Sequence, residues 1–365
     1  MKRFAMLLSL LLVFSLLAGC TGTVVVVNDC TCPGDHVPEN TVPAPTTPAP
    51  TVPVTGDGAL LTGLAVVATA KDSTAPVAEE DGKASFDVTL AAVTLDENGV
   101  IVACALDSLG ASVTFNAEGA LTSDVTAAPL TKNELGADYG MVAWGGAVAE
   151  WNEQAKALCD FAVGKTPEQL KNGAVDASGY APDGSDLASS ATIYLGGYVA
   201  AIEKAAKNAK ALGAKNGDSL RMTTVNSLAK SLSLTEEADG AAQLDMSIAA
   251  VTVDEQGVVT SCIIDELSAK LTFHAEDGYT SDPAAPLLTK SELGGDYGMV
   301  AWGGAKAEWN EQAAAFAAYV TGKTADQIAG IAVSESTKPA DGSDLATSVT
   351  ISIAGFQNLL AKALA

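Results

Sequence analysis

The stretch FDVTLAAVTLDENGVIVACALDSLGASVTF, residues 86–115, returns as LDMSIAAVTVDEQGVVTSCIIDELSAKLTF at 244–273. In the first of these, Phe86, Val88, Leu90 and Ala92 alternate with their neighbours, Asp96-Glu97-Asn98-Gly99 supplies a turn, and Val100, Val102, Cys104 and Leu106 resume the alternation. Period-two patterning on both sides of a turn predicts an antiparallel meander with one buried face. Val113 and Phe115 predict a third strand.

The period then changes. Thr131 with Glu134, and Thr289 with Glu292, have the spacing of a capping box, in which hydroxyl and carboxylate satisfy free backbone donors at a helix start. Trp144, Val148, Trp151, Ala155, Leu158 and Ala162 recur at steps of four and three, which predicts one apolar helical stripe. Gly164 ends it, and Thr166-Pro167 opens the next helix with a cap and a first-turn proline. Sheet followed by helices is an α+β arrangement.

The recurrence covers nearly everything after residue 57. Tyr139 and Tyr297, Trp151 and Trp309, and Thr192 and Thr350 are each 158 positions apart, so two copies of one small domain are expected, at 58–214 and 216–365. DYGMVAWGGA (138–147 and 296–305) and AEWNEQA (149–155 and 307–313) are identical in both, whereas VDASGYAPDG has drifted to VSESTKPADG. Packing explains identity most simply, with Trp144 and Trp151 in the core and Gly145-Gly146 letting the helix approach the sheet. The alternative is contact with a ligand, with Tyr139, Met141 and Trp144, and likewise Tyr297, Met299 and Trp302, lining an aromatic pocket.

The amino terminus points to secretion. Met1-Lys2-Arg3 is basic, Phe4 to Leu17 is apolar but too short to remain as a membrane span, and Leu17-Ala18-Gly19-Cys20 matches the box cut by lipoprotein signal peptidases. Residues 1–19 are therefore expected to be removed and Cys20 to carry the lipid. Residues 20–57 form the mature terminus and a Pro/Thr-rich tether; its twenty-odd residues in polyproline II would reach roughly 60 Å. The chain carries 44 acidic and 20 basic residues, a formal charge of −24, and loss of Lys2 and Arg3 leaves −26. Such a surface repels nucleic acid and anionic head groups.

Six cysteines do not make a disulfide scaffold in a chain of this length. Cys104 and Cys262 occupy matching places in apolar segments and are expected to be buried thiols, while Cys159 is matched by Ala317. Cys30-Thr31-Cys32 with Asp35 and His36 is a weak metal candidate in a chain of two histidines, and no metal site is expected.

Near the end of each repeat stand Asp186-Leu187-Ala188-Ser189-Ser190-Ala191-Thr192 and Asp344-Leu345-Ala346-Thr347-Ser348-Val349-Thr350. Both resemble the flavinylation motif of FMN-binding domains: aspartate, two variable residues, serine or threonine, glycine, alanine, and the threonine that takes FMN as a phosphodiester. Asp186 and Asp344, Ser189 and Thr347, and Thr192 and Thr350 fall at the motif's spacing. Ser190 and Ser348 replace its glycine and Val349 its alanine. The segment GGYVAAIEKAAKNAK after Thr192 predicts a helix whose positive end would favour a nearby phosphodiester.

With the lipobox, the tether and the two repeats, the chain resembles the pheromone-precursor lipoproteins of Gram-positive bacteria, surface flavoproteins of flavin-based extracellular electron transfer. The resemblance implies two covalent FMN groups, a flavin transferase that recognises Asp186 and Asp344, and supply of electrons by a membrane NADH dehydrogenase and quinone pool. It also implies ferric or soluble flavin acceptors, and a lipid-anchored place on the outer face of the cell membrane. The protein is then an electron carrier without catalytic residues of its own. A flavin-dependent reductase with one organic substrate and a cofactor-free surface binding module are the alternatives. GxGxxG and HExxH motifs are lacking, and His274 has Asn116 as its counterpart, so no histidine-activated nucleophile recurs.

Overall fold

Asp96 closes the first hairpin: its carboxylate accepts from the Asn98 and Val100 amides at 2.9 and 2.8 Å, and Gly99 takes φ +73°, a conformation that favours glycine. Asp254 does the same for Gln256 and Val258 at 3.0 and 2.9 Å. The computed structural model describes residues 58–76, 80–274 and 278–365. The expected signal peptide, Cys20, the Cys30/Cys32 pair and the tether lie outside the described residues.

The first sheet runs β3-β2-β1-β4, with β1 Ala59–Thr69, β2 Gly82–Leu95, β3 Ile101–Phe115 and β4 Lys210–Lys215. The second runs β5-β6-β7-β8, with β5 Ser219–Ser227, β6 Gly240–Val253, β7 Val259–His274 and β8 Gly278–Tyr279. All pairings are antiparallel. Helices α1 Lys132–Leu135, α2 Trp151–Ala162, α3 Pro167–Ala174 and α4 Gly196–Lys207 recur as α5 Lys290–Leu293, α6 Trp309–Val320, α7 Ala325–Ala329 and α8 Ala354–Leu364. The α+β class holds.

Several sequence expectations need correction. Val113 and Phe115 end the long strand β3, since Gly110 pairs across to Asp87 without interrupting the ladder; the third strand is β1, upstream of the expected start of sheet. The meander has one buried face only at its far end. Nearer the hairpin both faces are covered, and the run Leu90–Leu95, apolar except for the buried Thr94, is the sign of it. Helix α2 begins at Trp151, so Trp144 and Val148 are not on its stripe: they are 88% and 67% exposed. Gly146 at φ +63° turns the chain before Glu150 caps the helix, and the counterpart of Val148 is Lys306, a residue suited to solvent.

The two sheets bury their inner faces against each other. Phe86, Leu90, Leu109 and Phe115 share one apolar cluster with Leu244, Ile248, Leu271 and Phe273, and the rings of Phe115 and Phe273 meet edge to face at 4.7 Å. Such contacts add about 0.5–1.5 kcal/mol beyond burial. On the outer face of the first sheet, Val93 and Ile101 pack with Trp151, Leu158 and Ile202; on that of the second, Val251 and Val259 pack with Trp309, Phe316 and Leu360. The order of layers is helix, sheet, sheet, helix. Gly63 is the point where α4 meets β1, since a Cβ there would lie 2.0 Å from the Ala205 carbonyl oxygen. Gly145 has a different role from the expected one: its Cβ would strike the Met141 carbonyl oxygen at 2.8 Å within the loop.

Reciprocal ion pairs join the repeats. Lys204 of α4 reaches Glu292 at 2.5 Å, and Lys362 of α8 reaches Glu134, the matching residue. Burial raises the Glu134 carboxyl, but the hydrogen bond from Lys362 and the Thr131 amide outweigh it and hold the group below its ordinary value. All described residues belong to one compact unit, Val52–Ala365. Among the described residues no helix is long and apolar enough to cross a membrane.

Candidate functional site

Residues 138–155 and 296–313, identical except at Val148 and Lys306, are held from α1 outward. Thr131 and Glu134 form the expected capping box, with the Thr131 amide donating to Glu134 Oε2 at 2.8 Å and the Glu134 amide to Thr131 Oγ1 at 3.3 Å. Asp107 of β3 fixes the same turn to the sheet by accepting from the Asn133 amide at 3.1 Å. Burial raises the Asp107 carboxyl, and hydrogen bonds from Thr131, Asn133 and Ser108 oppose the rise. A 3-10 turn, Gly136–Tyr139, leads to Gly140 at φ +80°.

Beyond it, residues 141–147 fold back on themselves, and Glu150 clips them to the first turn of α2. Its carboxylate accepts from the Met141 and Val142 amides at 2.9 and 3.1 Å; Glu308 accepts from Met299 and Val300 at the same two distances. Trp144 stands over Gly140, where a Cβ would meet its ring at 2.1 Å, and Trp302 stands over Gly298 at 2.3 Å. Packing therefore does not explain Trp144 and Trp302, which are 88% and 82% exposed. Tyr139 and Tyr297 are also exposed, while Met141 and Met299 are half-buried against the cores behind them.

The same helix holds the motif threonines. Gln154 is fully buried; its Oε1 accepts from the amides of Thr192 at 2.8 Å and Ile193 at 3.2 Å, and from Thr192 Oγ1 at 3.3 Å. Its Nε2 donates to the Ala149 carbonyl at 2.8 Å. Gln312 repeats this with the Thr350 amide at 2.7 Å, Thr350 Oγ1 at 3.1 Å and Ala307 at 2.9 Å. The identity of AEWNEQA thus has two grounds, the expected packing of Trp151 and Trp309 and this seating of the threonines by Gln154 and Gln312. A glutamine in a helix and a threonine 38 residues later carry no local sign of their contact.

Within the motif, Leu187 and Ala191 are buried and act as anchors, whereas Asp186, Ser189, Ser190 and Thr192 face solvent. Leu345 and Val349 anchor the second run in the same way; Asp344, Thr347 and Ser348 are exposed, and Thr350 is half-buried. Ser189 Oγ donates to the Asp186 carbonyl and Thr347 Oγ1 to that of Asp344, both at 2.7 Å. Ser190 and Ser348 have φ −120° and −112°, so serine in place of the motif's glycine brings no backbone strain. Val349 in place of alanine is accommodated in the core. The helix after each motif is present as α4 and α8, but Thr192 lies outside it and its hydrogen bonds go to α2.

Asn152 Oδ1 and Asn310 Oδ1, in the same first turns, are buried without a hydrogen-bond partner, and an acceptor of this kind recurring in both repeats has room in its chemistry for a donor from outside the chain. Of the residues expected to line an aromatic pocket, Tyr139, Trp144, Tyr297 and Trp302 are exposed and Met141 and Met299 half-buried. Two hollows stand out on the described residues, the larger about 730 Å³ and walled by Leu95, Pro167, Lys171 and Glu203, and neither includes Tyr139, Met141 or Trp144. Cys262 is buried and its thiol is pushed up to about 12, while Cys104 lies against Cys159, which together with burial pushes it up as well. Among the described residues no three metal-ligating side chains come together.

Gln154→Leu keeps the volume but removes the acceptor of two backbone amides. Unpaired buried groups of this type cost about 1–3 kcal/mol each, so the variant is expected to lose about 2–4 kcal/mol in urea unfolding. An unchanged midpoint would show that Gln154 does not hold the Thr192 segment. Neither a family model, a curated protein nor a solved structure matches the chain.

Proposed function

We propose that the chain is a lipid-anchored electron carrier of the outer membrane face, with FMN joined by phosphodiester bonds to Thr192 and Thr350. The observation that carries this reading is the paired arrangement: two motif threonines, each at an accessible surface, each seated on a buried glutamine from an identical helix segment. Substitution on Thr192 Oγ1 would remove one hydrogen bond to Gln154 and leave those of the Thr192 and Ile193 amides intact, so the seat suits a modified threonine.

Bound FMN supplies reversible one- and two-electron transfer. Asp186 and Asp344 stand free in solvent for recognition by a flavin transferase. Tyr139, Met141 and Trp144 offer aromatic and apolar surface beside the first threonine's helix, and Tyr297, Met299 and Trp302 beside the second. Asn152 and Asn310 each offer a buried acceptor. An open surface favours exchange with varied acceptors over a reductase shaped around one substrate, since a shaped site gains rate by fitting one transition state. Electrons would come from a membrane NADH dehydrogenase through quinone and leave to ferric or soluble flavin acceptors. Cys20 would carry the anchor.

The test is the intact mass and absorption spectrum of protein taken from its native cell. The expected result is a flavin spectrum that survives denaturation and a mass increment of two FMN groups, mapped to peptides containing Thr192 and Thr350. Colourless protein without the increment, from cells that flavinylate other secreted proteins, would reject the reading.

A further inference from the structure

The two sites differ in charge although their sequences barely differ. Residues 131–155 and 289–313 depart from each other only at 133/291, 137/295 and 148/306. In each, a lysine stands by the same two rings: Lys132 Nζ is 5.0 Å from the Tyr139 centroid and 5.2 Å from that of Trp151, and Lys290 Nζ is 5.1 Å from Tyr297 and 5.0 Å from Trp309. Trp151 and Gln154 are three residues apart on α2, so the lysine packs against the first turn of the same helix that seats the threonine.

The difference is on the sheet behind the lysine. In the second repeat Glu266 of β7 accepts from Lys290 Nζ at 2.5 Å, and from Ser247 Oγ at 3.2 Å. At the corresponding place on β3 the first repeat has Ser108. Among the described residues no carboxylate forms an ion pair with Lys132. At the sheet, one site thus presents an uncompensated cation and the other a neutralised pair; the second site's further cation, Lys306 in place of Val148, is exposed to solvent, where its field is screened. Burial works against the Lys290 charge, and Glu266 more than restores it.

We propose, building on the covalent-flavin reading above, that the first-repeat site holds its flavin at the higher reduction potential and the second-repeat site at the lower. Reduction adds electron density to the isoalloxazine ring, and a nearby positive charge stabilises it in proportion to the local field. Lys132 exerts that field; Glu266 cancels the field of Lys290. Electrons then run from the second-repeat flavin to the first.

Potentiometric titration of single-site proteins tests this directly: Thr350→Val leaves the first flavin and Thr192→Val the second. At any fixed ambient potential the ratio of reduced to oxidised flavin should be at least tenfold higher in the first, about 30 mV for a two-electron couple. Glu266→Gln should raise the second site towards the first, and Ser108→Glu should lower the first towards the second. The two opposite changes guard against a variant that merely misfolds. Equal potentials in the single-site proteins, or potentials that neither substitution moves, overturn the proposal and leave the flavin reading standing. Absence of covalent flavin from the unsubstituted protein overturns that reading and this proposal with it.

Discussion

The double variant Thr192→Val, Thr350→Val is expected to leave its native cell colourless, with a mass that lacks both flavin increments and a fold that is otherwise intact. Valine matches threonine in size and branching but has no hydroxyl, so nothing remains to bear the phosphodiester. Both threonine amides keep their glutamine acceptors at 2.8 and 2.7 Å, which leaves the seats in place. The hydroxyls donate to the same oxygens at 3.3 and 3.1 Å, and losing one such bond costs about 0.5–1.5 kcal/mol. Each single variant should lose one flavin and keep the other. Mass spectrometry and circular dichroism on the same samples separate lost attachment from lost fold. A double variant that still carried two flavins would place the attachment elsewhere.

Phe273→Ala is expected to have the largest effect on stability, about 3–5 kcal/mol, the usual range for emptying a buried phenylalanine site. The ring is fully buried on β7, meets Phe115 of the other sheet at 4.7 Å, and has Tyr279 at 6.2 Å on its own sheet. Gly240 faces it so closely that a Cβ would lie 2.1 Å from the ring. Because the cavity would open between the two sheets, both repeats should weaken together. Calorimetry should show one transition, shifted down as a whole. Two transitions, of which only one moved, would mean that the repeats unfold separately and that the shared cluster contributes little to their cohesion.

Much of the fold is legible in the sequence. The hairpin at 96–99, the capping boxes at Thr131 and Thr289 and the start of α3 at Pro167 all rest on contacts between residues fewer than five apart, which sequence spacing expresses directly. The strand β1 escaped notice because its alanines and valines lack the strict alternation of a half-buried strand; it is covered on both sides. Trp144 was misplaced for a similar reason. Helical spacing assigns a tryptophan to a face, but the turn at Gly146 interrupts the helix that spacing assumes.

The candidate site divides in the same way. The motif runs, their recurrence at 158 positions and the identity of AEWNEQA were properties of the sequence alone. Tertiary structure decided what joins them: Gln154 beneath Thr192, Glu150 across to Met141, and Glu266 against Lys290 where the first repeat has Ser108 near Lys132. It also decided that the repeats share a core through Phe115 and Phe273. Local order depends on backbone preferences and near neighbours, and so is written in the sequence at short range. A hydrogen bond between residues 38 apart, or a carboxylate behind one lysine and not the other, depends on how the strands and helices come together, and only the folded chain brings those groups within reach.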